Sequence, residues 1–141
     1  MKFSEIKKDI FTVDQSYYIA HCISSDCAMG AGIAASIESR FHVRETLLQY
    51  PIETRKHPVC IRVKRIINLI TKARYYDKPT YQSVEKALIF MRDICVISSI
   101  NKIAMPTIAS NLDKLDWDKV KLLIFKVFGD TDIEILVCKL K

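Results

Sequence analysis

The 141 residues of this chain, half of them hydrophobic and 27% charged, have the length and composition of one globular domain over residues 1–141, which excludes a disordered or low-complexity chain. Its apolar runs stop short of the ~18 to 20 residues that cross a bilayer, and the N-terminus lacks the apolar stretch of a secretory signal, so we expect no membrane partner and a cytoplasmic or nuclear location. Twenty-two Lys and Arg against sixteen Asp and Glu give a net charge of +6, which favours an anionic ligand without deciding between a nucleotide and a nucleic acid.

The first half of the chain alternates patterns of strand length with patterns of helix length. Compact apolar runs predict the strands, and apolar residues at three-and-four spacing predict the helices. The predicted elements are strands at 1–7 and 16–23, helices at 30–41 and 43–50, and a hairpin-like pair of strands at 59–63 and 66–71.

The second half predicts a long helix, a short strand, a second helix and a last strand. Thr80 can cap the long helix, and its buried face consists of Val84, Ala87, Leu88, Met91, Ile94 and Cys95. Pro106 closes a strand at 102–105 and the last strand is at 133–140. Asp116 caps the helix between them, Gly129 ends it, and its buried face consists of Trp117, Val120, Ile124, Val127 and Phe128. This alternation predicts a three-layer α/β/α domain in which loops carry the function.

A glycine loop is the first candidate site. The chain has only three glycines where average usage gives about ten, and Gly30 and Gly32 both lie in CAMGAGIA at 27–34, between a predicted strand and helix. Bare backbone N–H groups there can face a phosphate or a ribose. The same glycines also fit a tight turn without a ligand, and spacing does not decide between the two. The pattern GxGxxA is weak support for a Rossmann fold, because six residues separate it from the strand and no second βαβ half follows.

A lysine and a second loop form the other candidate. Lys72 follows the strand at 66–71, so its stem begins in apolar surroundings that disfavour the charged amine and would make it a nucleophile. The loop MPTIASNLD at 105–113 joins a buried strand to a helix, where α/β folds present binding groups. Solvent contact remains the ordinary role of a lysine, and Asp113 also fits a plain loop carboxylate.

Four motifs in order resemble one family: DIF at 9–11, AHCISSDCAMGAGIA at 20–34, LITKARYYDKPTY at 69–81 and MPTIASNLDKLDW at 105–117. The chain resembles, over its whole length, the macro domain of the terminal ADP-ribose protein glycohydrolase. The resemblance implies a three-layer α/β/α macro domain with a mixed central sheet. It also implies a hydrolase, without metal or cofactor, that removes mono-ADP-ribose from Glu or Asp carboxylate esters. ADP-ribose and mono-ADP-ribosylated proteins would be its partners, with O-acetyl-ADP-ribose and ADP-ribosylated nucleobases or nucleic acid as further candidates.

The resemblance assigns roles to residues as well. Lys72 would attack the anomeric carbon of the distal ribose and Asp113 would manage the protons. Asp9 and the Ile10 backbone would read the adenine, and Ser24 would help to hold the ribose. The remaining contacts, to ribose and phosphates, would come from Gly30, Ala31, Gly32 and Ile33 on one side and from Ser110, Asn111 and Leu112 on the other. Tyr75, Tyr76 and Lys78 would form a rim of the site, where their side chains either pack within the loop or contact the substrate.

The chain departs from this family where affinity would be affected. Ala109, Ser110 and Asn111 stand where the family has a glycine-rich loop, so close approach of the backbone to phosphate is harder. Cys138 stands near the adenine in place of an aromatic residue, and Thr107 replaces a basic residue. These changes threaten binding more than chemistry.

Two other functions fit the sequence. A module that binds ADP-ribose without hydrolysing it is compatible with the altered second loop. A nucleic-acid-binding module is compatible with the +6 charge, although the basic blocks are short and dispersed and read as solvated surface. The five cysteines suggest neither disulfides nor a metal site, and we expect reduced, mostly buried thiols. Separately, we expect the protein to be a monomer.

Overall fold

The computed structural model describes residues 1–140, which form a sheet of six strands with α-helices on both faces. The elements are β1 (Lys2–Lys7), β2 (Tyr18–Ser24), α1 (Gly32–Phe41), α2 (Arg44–Gln49), β3 (Val59–Val63), β4 (Ile66–Lys72), α3 (Tyr81–Ile97), β5 (Lys102–Met105), α4 (Trp117–Phe128) and β6 (Glu134–Lys139). Each end that was predicted lies within two residues of the observed one, and no C-terminal end was predicted for α3. A short 3-10 helix at Ile10–Thr12 was not predicted.

The sheet is mixed, as the resemblance implied, with the strand order β1-β6-β5-β2-β4-β3. β3 and β4 form the predicted antiparallel hairpin, and the other neighbouring strands run parallel. The carboxyl ends of the parallel strands therefore meet at one edge, where α/β folds bind their ligands.

Two apolar cores hold the helices on the sheet. α3 and α4 bury side chains such as Leu88 and Phe128 on one face, while Ile37 of α1 and Leu47 of α2 are buried on the other. The predicted buried faces of α3 and α4 are confirmed, except that Ile94 and Trp117 lie at their edges and are only partly buried.

The predicted helix caps are present. Thr80 Oγ1 accepts from the Ser83 N–H at 3.0 Å, and Ser83 Oγ accepts from the Thr80 N–H at 3.0 Å, which is a capping box. Asp116 accepts from the Asp118 N–H at 2.9 Å. Among the helices of residues 1–140, none has the length and hydropathy that a membrane span requires.

A buried polar pair crosses the middle of the sheet. His21 on β2 lies opposite Asn68 on β4, with His21 Nε2 2.7 Å from Asn68 Oδ1. Both side chains are fully buried, and burial lowers the pKa of His21 to about 4. The folded protein therefore holds a neutral imidazole at pH values where the unfolded chain is already protonated.

We predict that the free energy of unfolding falls by about 2 kcal/mol between pH 7 and pH 5 because of His21. As the pH falls, the unfolded chain takes up the proton near the ordinary pKa of about 6.5, while the folded chain does so only near 4. The loss begins near the higher value and is complete below the lower one. Urea unfolding of wild type and His21→Gln at both pH values measures it, and the variant should lose this dependence. An imidazole that titrates near 6.5 in the folded wild type by NMR contradicts the prediction.

Candidate active site

A cleft of about 1210 Å³ opens at the carboxyl ends of the parallel strands. It is larger than the usual ~300 to 1,000 Å³ of small-molecule sites and can hold a ligand as long as a dinucleotide. All the residues assigned to catalysis or to ligand binding line it, except Ser110. The cleft therefore brings together residues that are more than 100 positions apart in sequence, from Asp9 to Asp113.

An ion pair between Lys72 and Asp113 lies in this cleft. Lys72 Nζ is 2.7 Å from Asp113 Oδ1, and the two side chains are 14% and 13% exposed. β4 supplies the lysine and the second loop supplies the aspartate. An ammonium has no free electron pair, so Lys72 becomes a nucleophile only when its proton moves to a base, and Asp113 Oδ1 is within hydrogen-bonding distance.

The end of β2 aligns a third residue with this pair. The pairing of β2 with β4 shifts between Ile23 and Ser24, and this shift places Ser24 beside Lys72. Ser24 is buried and lines the cleft. Its hydroxyl donates to Asp26 Oδ1, so only its acceptor capacity remains for a ligand.

The two glycines of the glycine loop serve different purposes. Gly32 begins α1 with a left-handed φ of +61°, and a Cβ there would lie 2.9 Å from Leu112 Cδ1. At Gly30 a Cβ would meet only Ala28 O, at 4.0 Å, and the residue faces the cleft. Gly32 is thus required by the fold, whereas the open space beside Gly30 is available to a ligand.

We predict that Gly30→Ala separates binding from folding. The free energy of unfolding should change by less than about 0.5 kcal/mol, because the added methyl group meets no protein atom closely. The affinity for ADP-ribose, the ligand implied by the resemblance, should fall at least about 10-fold, because the methyl group enters the cleft. Calorimetry and urea unfolding test both parts. Gly32→Ala is the comparison and should cost about 1 kcal/mol of stability, because of its φ. Unchanged affinity in Gly30→Ala would show that the ligand does not approach this loop.

The start of α1 is suited to an anion. Ala31, the N-cap residue, gives no side-chain hydrogen bond to the first turn of α1. The first N–H groups of a helix lack partners inside the helix and carry its positive dipole end. These groups lie beside Gly32 and Ile33 in the cleft, where a phosphate would satisfy them.

The second loop keeps a glycine-like shape without glycine. Ala109 adopts a φ of +60°, and its carbonyl accepts from the Leu115 N–H at 2.8 Å. A left-handed alanine costs about 1 kcal/mol, so the surrounding structure holds the turn against that strain. The replacement of glycine noted in the sequence therefore leaves the backbone conformation available and adds a methyl group.

Ser110 does not line the cleft. Its hydroxyl donates to Ile108 O at 3.2 Å, within the loop itself. Asn111 and Leu112 do line the cleft, and Asn111 Oδ1 accepts from the Thr107 hydroxyl at 3.1 Å. The role proposed for the second loop thus rests on Asn111 and Leu112.

The opposite end of the cleft contains the residues assigned to adenine. Asp9 caps the 3-10 helix, with Oδ1 accepting from the Phe11 N–H at 3.0 Å, and its second oxygen has no part in this bond. The Phe11 ring also lines the cleft, and the Arg40 guanidinium carbon lies 4.2 Å from its centroid. Cys138 borders the same end. Phe11 thus supplies an aromatic surface at the end of the cleft where Cys138 stands in place of the family's aromatic residue.

The thiols are not competing nucleophiles. All five cysteines are free in the structure, and four of them are buried, which confirms the predicted burial. Cys22 lines the cleft, but burial raises its pKa to about 12. Because the thiolate is the reactive form, Cys22 stays inert at neutral pH.

Three supporting residues were missed in the sequence. Arg44 Nε donates to Cys27 O at 2.7 Å, and Arg55 Nη1 donates to Ser25 O at 2.6 Å. They hold the glycine loop, where Cys27 has a φ of 54°. Asp26, within the turn before this loop's glycines, accepts from the Ala28 N–H through Oδ1 at 3.1 Å. No local pattern marks these residues, because the contacts of both arginines span more than ten positions.

The loop after Lys72 forms one rim of the cleft. Tyr75 lines the cleft, although its side chain is largely exposed, and packs edge-to-face against Tyr76 with centroids 5.2 Å apart. Tyr76 and Lys78 do not line the main cleft. Lys78 borders a smaller pocket of about 250 Å³ on the other side of Lys72. Among residues 1–140 no three His, Cys, Asp or Glu side chains cluster as metal ligands.

Comparisons with known proteins agree with this architecture. No family model matches the chain. It is 38% identical over 137 residues to human ADP-ribose glycohydrolase OARD1, an alignment that covers 96% of this chain and 90% of the human protein. Its structure is similar to the macrodomain of Thermus aquaticus DarG, with a TM-score of 0.86, 16% identity and coverage of 96% and 97% of the two chains. It is also similar to Thermosipho africanus DarTG in complex with ADP-ribose, with a TM-score of 0.81, 14% identity and coverage of 98% and 41%. The predicted macro-domain fold is confirmed.

Proposed function

We propose that this chain, which belongs to the ADP-ribose glycohydrolase family of OARD1, hydrolyses the ester between the distal ribose of ADP-ribose and a Glu or Asp side chain. The observation that carries this proposal is the contact of 2.7 Å between Lys72 Nζ and Asp113 Oδ1 inside a cleft of dinucleotide size. A nucleophile and a base in contact, beside a place for the sugar, are the elements that such a reaction needs.

The chemistry can be written with these two groups. Asp113 takes the proton of the Lys72 ammonium, and the freed lone pair attacks the anomeric carbon of the distal ribose. The bond between that carbon and the ester oxygen breaks, its electron pair leaves with the carboxylate, and Asp113 gives its proton to that carboxylate. Water then attacks the same carbon while Asp113 takes one of its protons, the bond to Nζ breaks, and the proton passes from Asp113 to Nζ, which restores the ammonium. Per turnover one ester and one water give ADP-ribose and one carboxylic acid.

The rest of the cleft is assigned by its chemistry. The pyrophosphate would meet the N–H groups at Gly32 and Ile33, because they carry the positive end of the α1 dipole. The free oxygen of Asp9 would accept from the adenine amino group, and the backbone at Ile10 would read the ring. The distal ribose would then lie between Ser24 and Lys72. The reactive end of the ligand thus coincides with the ion pair.

Mono-ADP-ribosylated proteins are the substrates that this reaction implies. O-acetyl-ADP-ribose presents an acyl ester on the same ribose, and ADP-ribosylated nucleobases present a bond to the same anomeric carbon. We propose them as further substrates, handled in the cytoplasm or nucleus without a metal or cofactor.

A reader that binds ADP-ribose without hydrolysis is the second candidate. The observation that favours it is Ala109, whose buried methyl group adds volume to the second loop where the family has glycine. A ligand held slightly out of place by this loop would bind but would not bring its anomeric carbon to Lys72.

Turnover of a glutamate-linked mono-ADP-ribosylated peptide distinguishes the two. The hydrolase should release many equivalents of free ADP-ribose per molecule of protein, measured by chromatography. Saturable binding of the peptide with no release over hours would establish the reader instead. If the protein instead bound nucleic acid of any sequence, with an affinity that fell steeply as the salt concentration rose, the +6 charge would be the functional feature and the chain would be a nucleic-acid-binding module.

A further inference from the structure

We propose that Asp26 is a positioning residue that holds the glycine loop against the segment 73–75 after Lys72. It also leaves Ser24 able only to accept a hydrogen bond, so that the site selects a ligand with a sugar hydroxyl beside Ser24. The inference rests on the proposed function, because the sugar is the distal ribose of ADP-ribose.

The contacts of Asp26 span three segments around the catalytic pair. Its Oδ1 accepts from the Ser24 hydroxyl at the end of β2 and from the Ala28 N–H of the glycine loop at 3.1 Å. Its Oδ2 accepts from the Tyr75 N–H, beyond Lys72, at 3.0 Å. Its own N–H donates to Ala73 O at 3.3 Å. One carboxylate therefore sets the distance between the glycine loop and the strand end that presents the lysine.

Asp26 acts through these neighbours and not on the ligand. Its side chain does not line the cleft, whereas Ser24, Ala28 and Tyr75 do. Burial raises the pKa of Asp26, but hydrogen bonds from Ser24, Tyr75 and Ala28 outweigh it and hold the pKa below the usual range. The carboxylate therefore stays charged at neutral pH and remains an acceptor on both oxygens.

The hydrogen bond from Ser24 fixes what Ser24 can recognise. A serine hydroxyl has one proton, and here Asp26 accepts it. The oxygen then offers only lone pairs to the cleft. A ribose hydroxyl can donate to it, whereas a phosphate oxygen at the same place would face an acceptor without a proton. This polarity matches the end of the cleft nearest Lys72, where the distal ribose would lie.

Asparagine at position 26 is a sharp probe of this arrangement. Both carboxylate oxygens accept from N–H or O–H groups, so an amide of the same shape can satisfy only one side. Its NH₂ group would face either the Tyr75 N–H or the pair formed by Ser24 and Ala28. In either orientation the loops lose one link.

Binding of ADP-ribose and of ADP, measured side by side by calorimetry, tests the inference, because the two ligands differ only in the distal ribose. Asp26→Asn should lower the affinity for ADP-ribose at least about 10-fold and that for ADP less than about 3-fold. Ser24→Ala should show the same selectivity. The double variant should lose less than the two single losses combined, because both act through one hydrogen-bonded unit. Asp77→Asn is the matched control, since Asp77 accepts from the Arg74 N–H at 3.0 Å in the same loop without touching the glycine loop.

An equal loss for both ligands in Asp26→Asn would overturn the inference, because it would show general damage to the cleft. Unchanged affinities in Asp26→Asn, or a loss as large in Asp77→Asn, would also overturn it. Retained binding of ADP shows that each variant is folded. Selective loss of ADP-ribose binding in a protein that releases no ADP-ribose from esters would leave the inference standing and remove the hydrolytic function alone.

Discussion

Lys72→Arg should lower kcat/KM for release of ADP-ribose from a glutamate ester by at least about 1,000-fold. A guanidinium keeps the positive charge opposite Asp113, so the pair and the cleft should survive, but it does not become neutral and cannot form the bond to the anomeric carbon. Arginine is a better probe than alanine, which would leave the carboxylate of Asp113, only 13% exposed, without its partner 2.7 Å away. Quenched-flow release of labelled ADP-ribose measures the loss.

The control for this variant is Lys86→Arg, on the exposed side of α3, which should retain full activity. Calorimetry should show that Lys72→Arg still binds ADP-ribose within a few-fold of wild type. If Lys72→Arg hydrolyses the ester at more than about a tenth of the wild-type rate, the amine is not the nucleophile and Lys72 acts only through its charge.

Asp113→Asn should lower kcat by about 100- to 10,000-fold with little change in KM. The amide occupies the same space and can still accept from Lys72, but it cannot take up the proton that the ammonium must lose. Steady-state kinetics at neutral pH measure the effect.

Asp130→Asn is the matched control for the aspartate. Asp130 pairs with Arg92 at 3.1 Å on the surface, and its side chain is 71% exposed. Surface ion pairs of this kind contribute little to the free energy of unfolding, so the activity and stability of Asp130→Asn should equal those of wild type. A rise in KM together with a fall in kcat in Asp113→Asn would assign Asp113 to ligand placement instead of proton transfer.

The sequence predicts the fold well where local patterns are strong. α3 has six apolar positions at helical spacing and a capping threonine, and the structure confirms the cap and the burial of five of the six, all but Ile94. The 3-10 helix at Ile10–Thr12 was missed, because three residues are too few to show a period. It alters the expected site, since Asp9 uses one oxygen to cap that helix.

The candidate site was predictable in outline, and only through the order of its four motifs. Gly30 and Gly32 are equivalent in sequence, and their difference depends on the left-handed φ of Gly32 and on Leu112, which approaches from the second loop. Ser110 lies beside two residues that line the cleft, but the left-handed Ala109 and the bond to Ile108 place its hydroxyl elsewhere. Asp26 showed no signal, because its role comes from contacts that form only in the folded chain.

Mass spectrometry of an acid-quenched single turnover tests most directly whether Lys72 Nζ forms a bond to the anomeric carbon of the distal ribose. With a glutamate-linked mono-ADP-ribosylated peptide and the wild-type protein, quenched before the first turnover is complete, we predict an increase of one ADP-ribosyl group on the peptide that contains Lys72. Release of ADP-ribose with Lys72 unmodified at every time point, or with the group on another residue, would contradict the mechanism.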